Sequence, residues 1–158
     1  MLNVQELKQK ACAIIEERKS EIIGIAKDIL AHPEAGFTET RTARLVAQKF
    51  GELGIQHREG LALTGVKARI QGGAGPGPRV ALLGELDSLI VAEHPYADSE
   101  TGAAHACGHH CQIGMVLGAT MGLLSPEVLA QLSGEIIPFA VPAEEFIEVE
   151  RRLALQAE

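Results

Sequence analysis

The N-terminal part of the chain places its apolar side chains with the period of an α-helix. Between residues 4 and 30 they recur every three or four positions, and glutamate and lysine fill the other face. Ser20 is a good N-cap and predicts a break in this segment. A second helix is predicted over residues 38–53, with Thr38 as N-cap and Gly54 just beyond its end. We expect both helices to lie on a core with their charged faces in solvent.

Shorter apolar runs follow, and their patterns are typical of β-strands. Residues 55–58 and 66–70 predict short strands, and the second alternates apolar with basic residues, so it is expected to be half exposed. The glycine- and proline-rich residues 72–78 predict a loop without regular structure. Residues 80–84 (VALLG) form a continuous apolar run, which predicts a strand buried on both faces.

The second half of the chain contains the most apolar predicted helix, residues 109–124. Three glycines recur on one of its faces at intervals of four residues: Gly114, Gly118 and Gly122. Such a face lets a helix lie very close to a sheet or another helix, so a central position is predicted. Residues 135–141 predict a strand that Pro142 ends, and residues 146–157 predict a trailing helix.

Together these elements predict one α/β domain. We expect two N-terminal helices, a small mixed sheet of about four strands, the glycine-faced helix packed on it, and the trailing helix. The 158 residues are enough for a single domain. The formal net charge of −7, without a basic cluster, argues against nucleic acid and anionic membrane surfaces as partners. The longest uncharged apolar run is too short and too rich in glycine to span a bilayer.

The cysteines bear on the cellular compartment. Cys12, Cys107 and Cys111 are few and odd in number, so they favour a reducing setting over a disulfide framework. The first ten residues lack the apolar core of a signal peptide. We therefore expect a cytoplasmic protein.

A possible metal site begins in residues 105–111 (HACGHHC), which hold two thiols and three imidazoles. Cys107 and His109 are two residues apart at a loop-to-helix junction, where both side chains can turn toward one point. Sulfur with imidazole suits zinc, and also manganese, cobalt or nickel. Buried neutral side chains are the alternative interpretation. The positive end of the following helix is expected to help keep Cys107 as a thiolate.

Two acidic pairs follow predicted strands. Glu85 and Asp87 come directly after residues 80–84, at the strand end where α/β folds place their sites. They are either solvated loop acids, metal ligands or acids that orient a ligand histidine. Glu144 and Glu145 can divide metal binding and proton transfer between them, or they can favour the dipole at a helix N-terminus.

Four pieces of the chain, in this order, resemble the M20 metallopeptidase family in its amidohydrolase branch. This branch includes aminoacylase-, hippurate hydrolase-, indoleacetyl-amino-acid hydrolase- and aminobenzoyl-glutamate hydrolase-like enzymes. The pieces are residues 32–39 (HPEAGFTE), 84–89 (GELDSL), 105–109 (HACGH) and 142–145 (PAEE). The resemblance implies a partial zinc-peptidase-like catalytic domain. It further implies a metal-dependent hydrolase of amide bonds in N-acyl amino acids or small peptides.

The resemblance also implies roles for individual residues. Cys107, His109 and Glu145 would be metal ligands, Glu144 would be the general base on an activated water, and Asp87 would be a supporting catalytic acid. The complete enzyme would hold two divalent ions, which are zinc, manganese, cobalt or nickel.

The chain departs from the pattern of this family at three positions and in its length. His110 stands where this branch usually has Asp, Glu85 stands where other M20 branches have His, and Ile90 stands where Pro is common. Family members are far longer and carry two further histidine ligands and a lid or dimerisation domain. We therefore expect residues 1–158 to be the N-terminal part of a catalytic domain. Alone, it should be weakly active or inactive, and prone to form homo-oligomers through an open sheet edge.

Two other functions stay open on the sequence. One is a non-catalytic metal-binding or regulatory half-domain. The other is a cysteine hydrolase that uses Cys107 or Cys111 with His109 or His110. A cysteine hydrolase needs no metal and is inactivated by alkylation, so metal analysis separates it from the other two.

Overall fold

The computed structural model describes residues 2–145 and Ala154, and its N-terminal part contains three helices. They are α1 (Val4–Glu17), α2 (Lys19–Leu30) and α3 (Thr40–Glu52). The predicted break within residues 4–30 is confirmed, because this segment divides into α1 and α2. The expected count of two N-terminal helices is therefore one too few. The division falls at Arg18, and Ser20 lies inside the first turn of α2, so its predicted role as N-cap is wrong.

The start of α3 also differs from the prediction. Thr38 is not its N-cap, because the helix begins at Thr40 and Glu39 occupies the cap position. The carboxylate of Glu34 bonds the free amides of the first turn instead, at 2.8 Å from the backbone nitrogens of both Arg41 and Thr42. A side chain from outside the helix thus satisfies these donors, which no local cap pattern reveals.

The predicted small mixed sheet is confirmed, and among the described residues it has five strands rather than about four. Its centre is the last of the described strands, which pairs antiparallel on one side and parallel on the other. This last strand ends at Val141, directly before Pro142, as its sequence predicts. Two further strands form a separate antiparallel pair. In chain order the strands are β1 (His57–Leu61), β2 (Gly65–Ala68), β3 (Ile70–Gln71), β4 (Arg79–Glu85), β5 (Leu89–Ile90), β6 (Ala103–Ala104) and β7 (Glu135–Val141).

The glycine-faced helix α4 (His109–Leu123) packs closely on α1 and α2, and the short α5 (Pro126–Leu129) follows it. A Cβ at Gly122 would lie 2.8 Å from the backbone oxygen of Ala11, and one at Gly118 would lie 3.0 Å from Ile22 Cδ1. The predicted close approach is thus confirmed, with helices as the neighbours. The opposite side of α4 packs on β4, so the helix is central, although Met115 is 64% exposed.

Strand β4 corrects the expectation that residues 80–84 are buried on both faces. Val80 and Leu83 are 51% and 61% exposed. Within the described residues β4 pairs with β7 alone, so its other edge is open. An apolar run specifies a strand that can be buried, but neighbouring elements decide how much of it is covered.

The predicted trailing helix over residues 146–157 lies outside the described residues, apart from Ala154. In the described part of the chain, none of the helices is long and apolar enough to cross a membrane.

Candidate metal centre

Three elements meet at the carboxyl ends of two neighbouring strands. β4 and β7 are parallel neighbours, and Glu85 pairs in register with Val141. Asp87, which follows β4, and the acidic pair after β7 therefore lie at the same end of the sheet. Helix α4 packs on β4 and begins at this end with His109.

A glycine allows the thiol and the imidazole to face the same way. Gly108, between Cys107 and His109, has a φ of +91°, which glycine adopts without the strain that a Cβ would cause. It occupies the N-cap position of α4. The chain can therefore turn sharply between the two side chains, as their spacing predicts.

His109 is the buried centre of the cluster, with an exposed fraction of 1%. Its Nδ1 lies 2.9 Å from the backbone oxygen of Asp87 and 3.1 Å from Asp87 Oδ1. Because both neighbours are acceptors, we assign the proton to Nδ1, which leaves a lone pair on Nε2. In the described part of the chain Nε2 has no hydrogen-bond partner, although Glu85 Oε2 is 2.9 Å away.

The atoms around Nε2 are those that a divalent cation uses as ligands. Ligand atoms of Cys107, His109 and Glu145 all lie within 4.8 Å of one another. The same is true of Glu85, His109 and Glu144. A buried lone pair that faces thiol and carboxylate groups fits a metal ion, because imidazole, thiolate and carboxylate are the ligands that zinc uses in proteins. The structure thus brings all the predicted site residues together, and it adds Glu85.

The crowding of acids sets the protonation of the cluster. The charge of Glu85 and then partial burial raise the pKa of Glu144. A hydrogen bond with Glu145 and then burial raise the pKa of the Cys107 thiol. The expectation that the end of α4 keeps Cys107 as a thiolate is therefore wrong for the metal-free chain, because the hydrogen bond with Glu145, burial and the nearby carboxylates all favour the protonated thiol. A divalent cation would reverse this balance.

Two buried carboxyl groups hold the backbone around the acidic pair. Asp87 Oδ2 accepts a hydrogen bond of 2.9 Å from the backbone nitrogen of Glu145. Glu39 Oε1 accepts one of 2.8 Å from the backbone nitrogen of Ala143. Sequence reasoning assigned no role to Glu39, whose signal was its place at the end of the piece over residues 32–39. The sequence left the role of Glu85 open, although the spacing between Glu85 and Asp87 was a signal.

The other two imidazoles of residues 105–111, those of His105 and His110, form a separate pair beside the cluster. The rings of His105 and His110 are 5.3 Å apart, and burial followed by the charge of His110 lowers the pKa of His105 to about 4. His110 Nε2 lies 3.2 Å from the thiol of Cys111, which is exposed. Among the described residues, neither group of possible metal ligands includes them.

Comparisons with known proteins show which chains and folds this protein is similar to. No family model matches the chain. Over 144 residues it is 35% identical to thermostable carboxypeptidase 1 of Saccharolobus solfataricus, which aligns 89% of this chain with 36% of that protein. Over 127 residues it is 34% identical to the IAA-amino acid hydrolase ILR1-like 5 of Arabidopsis thaliana, with 78% and 28% covered.

Among solved structures, the chain is similar to the YXEP protein of Bacillus subtilis, a dinuclear metal-binding peptidase from the M20 family. The TM-score is 0.72 and the sequence identity is 27%, over 90% of this chain and 40% of that one. The chain spans about a third of the length of the curated relatives it matches.

Proposed function

We propose that this chain, which belongs to the M20 family of metallopeptidases and amidohydrolases, is the N-terminal part of the catalytic domain of a metal-dependent amide hydrolase. One observation carries the proposal: the ligand atoms of Cys107, His109 and Glu145 lie within 4.8 Å of one another, although Glu145 is far from the other two residues in the sequence. The hydrolase, carboxypeptidase and peptidase names of its relatives support the reaction class.

The residues that would hold a first divalent cation are Cys107, His109 and Glu145. Similarity to a dinuclear metal-binding peptidase supports a site for two ions in the complete enzyme, and Glu85 is a further carboxylate near His109. Thiolate with imidazole favours zinc, and manganese, cobalt and nickel are the other candidates. When bound, such a cation lowers the pKa of water toward 7 and polarises the substrate carbonyl.

Glu144 is suited to move the proton in this reaction. Its side chain is 50% exposed and its Oε2 lies 3.9 Å from His109 Nε2, so it borders both solvent and the cluster. We propose that it takes a proton from the attacking water and returns it to the leaving amine, a role worth roughly 10²–10⁴-fold in rate. Asp87 supports the reaction by orienting His109.

The substrates that we propose are N-acyl amino acids or small peptides, which the names of the relatives support. We also propose a cytoplasmic location, supported by three free cysteines. Self-association through β4 is proposed because this strand exposes Val80 and Leu83 at an open edge. Light scattering on the purified chain tests this last point.

The test of the function combines metal analysis with hydrolysis. The purified chain is titrated with zinc in competition with a chelator, and then assayed on a panel of N-acetyl and N-benzoyl amino acids. We expect weak zinc binding and little or no hydrolysis. Robust metal-dependent turnover would contradict the proposal that the chain is only part of a catalytic domain, and absence of metal binding would contradict the metal centre. Metal-independent turnover that alkylation abolishes would favour the cysteine hydrolase.

A further inference from the structure

We propose that Glu39 is a positioning residue of the metal centre. Its buried carboxyl group holds the turn that presents Glu144 and Glu145 to Cys107 and His109. This inference rests on the proposed function, because the ligand and the base that it serves are assigned there.

The side chain of Glu39 is completely buried, and two of its hydrogen bonds reach residues far from its own position in the sequence. Oε1 accepts a bond of 2.8 Å from the backbone nitrogen of Ala143, which is 104 residues away. Oε2 accepts one of 2.7 Å from the hydroxyl of Thr64. A buried carboxyl group is costly unless its oxygens are bonded, and these contacts use both of them.

Helix capping does not explain this arrangement. Glu39 stands at the N-cap position of α3, but its side chain makes no capping hydrogen bond. Glu34 bonds the backbone amides of the first turn instead. The carboxyl group of Glu39 is therefore directed toward the end of β7 rather than toward its own helix.

The turn after β7 has a conformation that needs support. Ala143 has a φ of +53°, in the left-handed region that a residue with a Cβ disfavours. Glu39 holds the amide of Ala143, and Asp87 holds the amide of Glu145 at 2.9 Å. The two buried carboxyl groups thus fix the backbone on both sides of Glu144.

The partner of Glu39 on the other side is also fixed in place. Thr64 directly precedes β2, and β2 pairs with β7 through Val66 and Ala140. A Cβ at Gly65 would lie 3.1 Å from Pro142 Cδ, so this turn packs directly on the start of the acidic segment. Glu39 therefore connects the start of α3, the start of β2 and the end of β7.

The experiment compares two substitutions of similar volume. Glu39→Met keeps the bulk of the side chain but provides no oxygen, whereas Glu39→Gln keeps one carbonyl oxygen that can accept from the amide of Ala143. Val46→Ala serves as a control. Val46 is a core residue of α3 with 1% exposure, so its truncation should lower the stability of the chain without changing the turn after β7. Two quantities are measured: the zinc dissociation constant, and the hydrogen exchange of the Ala143 and Glu145 amides in the metal-free chain.

We expect Glu39→Met to raise the zinc dissociation constant about 10- to 100-fold, the range typical of residues that orient ligands. Exchange at Ala143 and Glu145 should accelerate more than exchange in the core strands. Glu39→Gln should keep the zinc dissociation constant and the amide exchange close to those of the unchanged chain. Val46→Ala should leave the zinc dissociation constant unchanged.

Two results separate this inference from the proposed function. If the unchanged chain binds zinc and Glu39→Met binds it equally well, with normal exchange at Ala143, then Glu39 has no positioning role. If the unchanged chain binds no zinc, the proposed metal centre fails, and the exchange data alone decide whether Glu39 holds the turn.

Discussion

The imidazole of His109 and the carboxylate of Asp87 are in contact at 3.1 Å, between Nδ1 and Oδ1, and both side chains are 1% exposed. The other oxygen of Asp87 accepts the backbone amide of Glu145. One buried carboxylate therefore orients a proposed ligand on α4 and a proposed ligand after β7. Because it is shielded from solvent, Asp87 is better suited to orient these groups than to exchange protons with substrate.

Replacing Asp87 with asparagine tests this coupling. An asparagine side chain has a single acceptor oxygen, so Asp87→Asn can bond either His109 Nδ1 or the amide of Glu145, but not both. We expect the zinc dissociation constant to rise about 10- to 100-fold, measured by competition with a chelator. An unchanged constant in a folded variant would refute the coupling.

Replacing Cys107 tests whether its thiol binds the metal. Cys107→Ser should weaken zinc binding by more than about 100-fold, beyond the range of residues that only orient ligands. It should also abolish the sulfur-to-metal charge-transfer absorption of the cobalt-loaded chain. Cys12→Ser is the matched control, since Cys12 is also a free, exposed cysteine and lies on α1. Equal losses in the two variants would exclude a specific role for Cys107.

The glycine face of α4 makes a prediction about stability. Gly122→Ala would place a Cβ 2.8 Å from the backbone oxygen of Ala11, which cannot move without shifting α1. We expect a loss of about 1–3 kcal/mol in the free energy of unfolding, measured by denaturant titration. Gly24→Ala in α2 is the control. It meets nothing within 4 Å, so it should stabilise the chain by about 0.5–1 kcal/mol.

The buried carboxyl group of Glu39 predicts a pH dependence of stability. Burial raises its pKa above the usual 4.5, and the groups that bond it are the Thr64 hydroxyl and backbone amides, all of them neutral. The folded chain therefore binds this proton more tightly than the unfolded chain. Its contribution to stability is full below pH 4.5 and is lost as the pH rises through the folded pKa.

Glu39→Gln removes this titration, because the amide stays neutral at every pH. The stability of the variant relative to the unchanged chain should therefore increase between pH 4.5 and pH 7. The measurement is the free energy of unfolding of both chains, in the presence of a chelator, across this range. A constant or decreasing difference would contradict a raised pKa for Glu39.

Much of the secondary structure could be predicted from local patterns. The spacing of apolar residues predicted the bounds of α4 within one residue and those of β7 without error. The helix caps were predicted less well, because Glu34 reaches α3 from outside the helix and takes the role expected of Thr38. Local patterns record the preferences of a residue, but they do not record competition from distant side chains.

The candidate site could likewise be predicted only in part. The short pieces around Cys107, His109 and the pair of Glu144 and Glu145 were visible in the sequence, because their residue types and spacings are unusual. The role of Glu39 was not visible, since its contacts with Thr64 and Ala143 join positions 25 and 104 residues away.

The sequence by itself determined the helical and extended periods, the glycine face of α4 and the choice of thiol, imidazole and carboxylate groups. These depend on residue type and on short spacings, which the chain carries whether or not it is folded. Only the tertiary structure decided that β4 pairs with β7 and that Glu85 joins the cluster. The parallel pairing brings the ends of the two strands together, and no local pattern specifies which strand becomes the neighbour of another.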